Sequence, residues 1–148
     1  IWIYTIYKDK KNRLIFIFII PFGLIFTDQI GHFIKDLELR NRPYMKLEDN
    51  QIQVKIDNVN KNEEGQYLNS KSSRRSFPSN HAANICFLMF LLGYIYPNTR
   101  KIFYLLATIV VLSRVYLGVH YPFDVLCGSL LGITIAYFIK KKIIPLVR

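Results

Sequence analysis

The chain has 148 residues, enough for one domain, and is 51% apolar while carrying 20 basic and 10 acidic residues. A soluble globule combines these poorly, whereas a membrane protein gathers apolar residues into spans and charges into loops. The net charge of +10 forms no single basic patch and accompanies no nucleic-acid-reading motif, so the reading is no nucleic acid and an anionic lipid partner instead.

The chain opens with IWIYTIY, an apolar stretch bearing Trp2, Tyr4 and Tyr7. It reads as the last turns of an earlier helix reaching an aromatic belt, so residues upstream are expected. Residues 8–13 (KDKKNR) form a basic turn. Apolar runs then occupy residues 14–27, 82–96, 102–113 with a tail to 119, and 123–139. They lack a clear polar face, and a span needs about 20 mostly apolar residues. The expected fold class is all-α: a polytopic transmembrane helix bundle with four visible spans, in a single domain over residues 1–148.

The first helix is expected over about residues 14–34, with Pro21 and Gly23 able to kink it. Its second half turns polar at Asp28, Gln29, His32 and Lys35, and charges at that depth face protein or water. Residues 43–77 are polar, too long for a mere connector, with a weak strand or hairpin alternation over 51–59. A second helix opens at Pro78-Ser79-Asn80 and runs to about Tyr96, where Pro97-Asn98 ends it. A third covers about 102–117 and closes at Gly118. A fourth starts at Pro122 and ends at Lys140-Lys141-Lys142. Cys86 and Cys127 sit inside apolar runs without ligand spacing and read as buried thiols.

Four alternating helices bring residues 8–13, Arg100-Lys101 and residues 140–148 to one membrane face. Those stretches hold ten basic residues and one acid, Asp9. The positive-inside rule makes that face cytoplasmic. The other face, with residues 35–77 and 114–124, then lies in the periplasm or at the cell exterior of an inner (cytoplasmic) membrane.

Three polar clusters fall at outer helix ends: Lys35-x6-Arg42-Pro43, Pro78-Ser79-Asn80-His81, and Ser113-Arg114-x5-His120-x3-Asp124. The alternating topology puts them at one depth. Together they supply what phosphoryl transfer needs, which is positioning plus stabilisation of charge on the non-bridging oxygens. Lys35, Arg42 and Arg114 are three cations, and an arginine fork matches phosphate oxygens. Ser79 adds a hydroxyl, and Ser79-Asn80 stand at a helix N-terminus that favours an anion. Of the two histidines, His120 has a carboxylate four residues on, with Pro122 placing Asp124 in the first turn of the fourth helix. His120 is assigned as nucleophile, Asp124 as its orienting partner, and His81 as general acid and then base. No carboxylate cluster offers a metal site, so the reaction is expected to use no metal and no cofactor. His32 matches no cluster and reads as facing protein, with contact to substrate as the alternative, and Asp28 reads as structural or as pairing with a cation. Arg74-Arg75 read as a solvated turn or as an attractor for a second phosphate.

These clusters resemble the signature of the type 2 phosphatidic acid phosphatase (PAP2) superfamily: Lys-x6-Arg-Pro, Pro-Ser-Gly-His and Ser-Arg-x5-His-x3-Asp. Ten of eleven fixed positions match, from Lys35 to Asp124, about 60% of the chain. Asn80 departs, standing where the family usually has Gly. The resemblance implies a six-helix membrane core with two helices upstream, the residue roles just assigned, and Ser113 beside the phosphate pocket. Soluble acid phosphatases and vanadium haloperoxidases share the superfamily, but the apolar spans argue against both.

The expected function is metal-independent hydrolysis of a lipid phosphate or pyrophosphate at the outer face through a phosphohistidine. Substrate candidates are phospholipid, glycolipid or polyprenyl head groups such as lipid A 1-phosphate, undecaprenyl pyrophosphate, phosphatidic acid or phosphatidylglycerol phosphate. Alternatives are a lipid phosphotransferase of the same fold, or a non-catalytic lipid-binding membrane subunit.

Overall fold

The computed structural model describes residues 9–37, 40–43 and 75–147. The helix end expected at residues 1–7, the alternation at 51–59 and most of the polar 43–77 segment lie outside them.

Four helices form, in the expected order. A π turn at Ile15–Ile19 runs straight into α1, Ile20–Lys35. Then come α2, Asn80–Ile95, a short 3₁₀ turn at Pro97–Thr99, and α3, Arg100–Tyr116. Helix α4 covers Pro122–Phe138 and continues through a second π turn, Ile139–Ile143, into a last turn at Ile144–Val147. Both π turns precede a proline, Pro21 and Pro145. Proline lacks an N–H and crowds the carbonyl four residues back, and a locally wider helix relieves both problems. Among the described residues the one β feature is an isolated antiparallel bridge, Asn41 to Arg75.

Four helices form where four spans were expected, but they are not equally long. Two helices are long and apolar enough to cross a bilayer, Ile15–Lys35 and Pro122–Leu146. Helix α2 has 16 residues and α3 has 17. At 1.5 Å per residue these reach about 25 Å, against a hydrocarbon core of about 30 Å. The shortfall falls at the polar end, where Asn80 and His81 already belong to the first turn of α2.

The chain alternates direction. At one end Tyr96, after α2, donates its hydroxyl to Asp9, before α1, at 2.8 Å. Lys140 lies over the Tyr94 ring at 4.9 Å on the same end. A buried apolar cluster fills this half, with Phe16, Ile20, Phe87, Leu91, Ile95, Ile135 and Ile139 contributed by α1, α2 and α4. The outward faces are apolar as well: Phe22 is 67% exposed, and Phe18, Ile25, Leu105, Leu112, Leu126 and Leu130 are similarly open. Large apolar residues on so much of the surface suit hydrocarbon rather than water.

Small residues set the central contact. A Cβ on Gly132 would stand 2.0 Å from the Ala83 carbonyl, and one on Gly128 would stand 2.3 Å from the Ser79 carbonyl. Helix α4 therefore packs backbone to backbone on α2, as small residues permit in membrane helices. That close approach brings the start of α2 against the start of α4, and both carry candidate site residues.

Candidate active site

Backbone hydrogen bonds join the three clusters at the end opposite the apolar core. The Ser79 N–H donates to the Asp124 carbonyl at 3.0 Å, tying the second cluster to the third. The Ser76 N–H donates to the Arg40 carbonyl at 2.9 Å, tying the approach to the second cluster to the segment of the first. Gly118, at φ 69°, ends α3 in the left-handed region that a Cβ would disfavour. The chain then turns through Val119 and His120 to Tyr121, the N-cap of α4. Asp124 accepts the Tyr121 N–H at 3.0 Å, so the carboxylate folds back over the first turn of its own helix.

A cleft of about 590 Å³ opens at this end. Lys35, Arg42, His81, Arg114 and His120 all line it, so residues from all three clusters share one space. Lys35 is buried at the last turn of α1. Arg42 is steadied by donating Nε to the Arg75 carbonyl at 3.4 Å. Arg114 Nε is buried and has no hydrogen-bond partner among the described residues. A buried donor left unpaired costs about 1–3 kcal/mol, and an arginine facing a polar cleft recovers that cost by binding an anion. Leu24, Ile85, Leu88, Val110 and Val119 add an apolar side to the lining, next to the polar Asp28, His32, Asn80 and Asn84. The cleft thus has a cationic pole and an apolar flank, as an amphiphile with an anionic head requires.

His120 is buried in the turn between α3 and α4. Burial, with the charges of Arg42 and Lys35 nearby, holds its imidazole well below the usual histidine range, at about 3. The ring is therefore neutral near pH 7 and keeps a lone pair on one nitrogen. The Ser76 hydroxyl sits 3.3 Å from His120 Nδ1 and also donates to Asp124 Oδ2. The Arg40 guanidinium donates to Asp124 Oδ1 at 3.1 Å. Among the described residues no direct hydrogen bond joins His120 to Asp124. The direct His120–Asp124 bond expected from the spacing is therefore not formed: Asp124 is drawn toward its own N-cap, and the Ser76 hydroxyl lies between the two side chains.

Other placements differ from the sequence expectations. Ser79 is fully buried and caps α2, its hydroxyl accepting from the Ala82 N–H at 3.5 Å, and it does not line the cleft. Ser113 gives its hydroxyl to the Val110 carbonyl at 2.7 Å and also stays out of the cleft wall. Asn80 borders the cleft, but its amide turns toward α1, donating to Asp28 Oδ1 at 2.9 Å and packing where Gly31 leaves room. Asp28 also accepts from Asn84 at 3.3 Å and lies 3.2 Å from His32. Asp28 and His32 therefore line the cleft as a pair of their own. Arg75 pairs with Asp36 rather than standing open toward a second phosphate.

Arg40, Ser76 and Asn84 were not picked out from sequence. Arg40 occupies a variable position within the first cluster and Ser76 lies just before the second, and only the fold shows that both meet Asp124. A serine two residues before the Pro-Ser-Asn-His run carries no signal by itself. Among the described residues, no three His, Cys, Asp or Glu side chains are placed to hold a metal ion together.

The PAP2 superfamily model matches residues 14–145. The chain is also 31% identical over 137 residues to the bacitracin transport permease protein BcrC of Bacillus licheniformis, across 93% of this chain and 60% of that protein. It thus spans about 60% of the length of this curated relative. No solved structure matches significantly.

Proposed function

The chain belongs to the PAP2 superfamily, and from that premise we propose that it removes phosphate from a lipid phosphate or pyrophosphate head group through a phosphohistidine on His120. One observation carries the proposal. Lys35, Arg42 and Arg114 converge with His81 and His120 on one cleft that also carries apolar residues.

The steps follow from the residues. Lys35, Arg42 and Arg114 hold the non-bridging oxygens and offset the charge that spreads over them in the transition state. The unprotonated His120 nitrogen attacks phosphorus, a P–N bond forms, and the bond from phosphorus to the lipid-side oxygen breaks. His81, in the same cleft, gives that oxygen its proton. Water then loses a proton to His81 and attacks the phosphohistidine. The P–N bond breaks, inorganic phosphate leaves, and both imidazoles return to their starting states. The arrangement asks for no metal, since three cations supply the positive charge.

The substrate belongs among phospholipid, glycolipid and polyprenyl phosphates. Phosphatidic acid, phosphatidylglycerol phosphate, lipid A 1-phosphate and undecaprenyl pyrophosphate all fit that description. The basic stretches at the opposite end support a site facing the periplasm or cell exterior. Passing the phosphate to a second lipid instead of water is the phosphotransferase variant, and labelled oxygen from water in the released phosphate separates the two.

The name of the Bacillus relative, a transport permease protein, favours a second reading, transport. Phosphate release by detergent-solubilised protein discriminates, because transport needs two compartments and hydrolysis does not. We expect release from at least one lipid in a panel of the four candidates, in the presence of EDTA, and none from His120→Ala. Equal release by His120→Ala would overturn the proposed mechanism. No release from any lipid would favour the permease or a lipid-binding subunit.

A further inference from the structure

We infer that Ser76 is a positioning residue for His120, passing the orienting effect of Asp124 to the imidazole through its own hydroxyl. The inference rests on the reading of His120 as nucleophile. Ser76 lies outside all three clusters, yet it is completely buried between the two residues it would couple. Its backbone is fixed by the N–H bond to the Arg40 carbonyl, so the hydroxyl has a defined place.

Proton counting gives the direction. A serine hydroxyl has one hydrogen and spare acceptor lone pairs, and an ionised carboxylate can only accept. Asp124 pairs with Arg40, accepts the Tyr121 N–H, and takes the Ser76 hydrogen on Oδ2. The Ser76 oxygen can then meet His120 Nδ1 only as an acceptor. Nδ1 therefore carries the proton, and Nε2 carries the lone pair. That tautomer is the one a nucleophile needs if Nε2 is to face phosphorus. After attack, the ring gains positive charge, and the Nδ1–H to Ser76 to Asp124 chain is already oriented to stabilise it. Asp124 alone does not set this tautomer, because its oxygens are turned to Arg40, Ser76 and its own N-cap.

The test combines nitrogen-15 NMR of the ring with kinetics, on full-length detergent-solubilised protein. Wild type without substrate should give an Nδ1–H signature for His120. Ser76→Ala should lose the single tautomer, and its kcat on dioleoyl phosphatidic acid in mixed micelles should fall about 10- to 100-fold with KM nearly unchanged. A serine that merely filled space would leave the tautomer intact. An Nε2–H signature in wild type overturns the assignment without recourse to any variant. So does a Ser76→Ala protein that keeps either the wild-type tautomer or the wild-type kcat. Failure of the nucleophile reading shows differently, as full turnover by His120→Ala whatever the tautomer.

Discussion

The Arg40 guanidinium donates to the Asp124 carboxylate at 3.1 Å, although 84 positions separate the two residues. The carboxylate is fully buried, while the Arg40 side chain is 37% exposed and lies over the Tyr121 ring at 5.1 Å. The pair ties the segment after α1 to the first turn of α4. It also keeps the charge beneath Ser76 compensated.

Arg40→Gln should therefore weaken the fold more than an exposed arginine normally would. Removing one partner leaves a buried carboxylate short of compensation, at a cost of about 1–3 kcal/mol after allowing for the exposed side of the pair. Thermal unfolding in detergent measures it. An unchanged midpoint would mean that solvent already supplies what Arg40 supplies.

Arg114→Lys tests the cationic pole. Lysine keeps the charge but loses the planar fork and the buried Nε. We expect kcat/KM to fall roughly 100- to 1000-fold, the range for losing a transition-state donor. A loss below tenfold would place the guanidinium away from the reacting phosphate.

Much of this site was readable from the chain. Proline and glycine at positions 78, 97, 118 and 122 marked helix ends, and spacing gave the three clusters. Alternating helix direction then implied one shared depth, and the cleft gathers Lys35, Arg42, His81, Arg114 and His120. What spacing could not give was the turn geometry. The His120-x3-Asp124 interval suggested a direct bond, but the Tyr121 N–H draws the carboxylate back along α4. Ser76 and Arg40 meet Asp124 only in the tertiary structure, Arg40 from the segment after α1 and Ser76 from just before α2, whose start packs on α4 through close contacts at Gly128 and Gly132. Ser79 and Ser113 stood in the right clusters, but local helix bonds claim their hydroxyls.

Asn80→Gly tests the single departure from the family pattern. The Asn80 amide faces Asp28 and Gly31 rather than the cationic pole. Turnover should stay within about threefold of wild type, while stability drops by about 1–2 kcal/mol from the lost hydrogen bond and the added backbone freedom. Kinetics and thermal unfolding on the same preparation separate the two effects. A large rise in rate would mean that the side chain narrows the cleft.

The His120 ring should titrate at about pH 3 in the substrate-free protein, against 6.5 for an ordinary histidine. Its folded-state value lies below its unfolded one, so acid favours the unfolded chain. The stability tied to the neutral ring is full above about pH 6.5 and is lost as pH falls toward 3. Inorganic phosphate should raise the midpoint, because an anion offsets the charges of Arg42 and Lys35. Imidazole NMR shifts followed over pH, with and without phosphate, measure both. A midpoint near 6.5 in the free protein would place the ring in contact with water.

The most direct measurement is rapid quenching of the enzyme during turnover of phosphorus-32-labelled lipid phosphate, followed by mapping of the protein-bound label. Acid-labile, base-stable phosphate should appear on His120 in wild type and vanish in His120→Ala. With a pyrophosphate substrate, whose phosphate leaving group needs little protonation, it should accumulate when His81→Ala slows the attack of water. Sustained phosphate release with no label on His120 at any quench time would contradict the account.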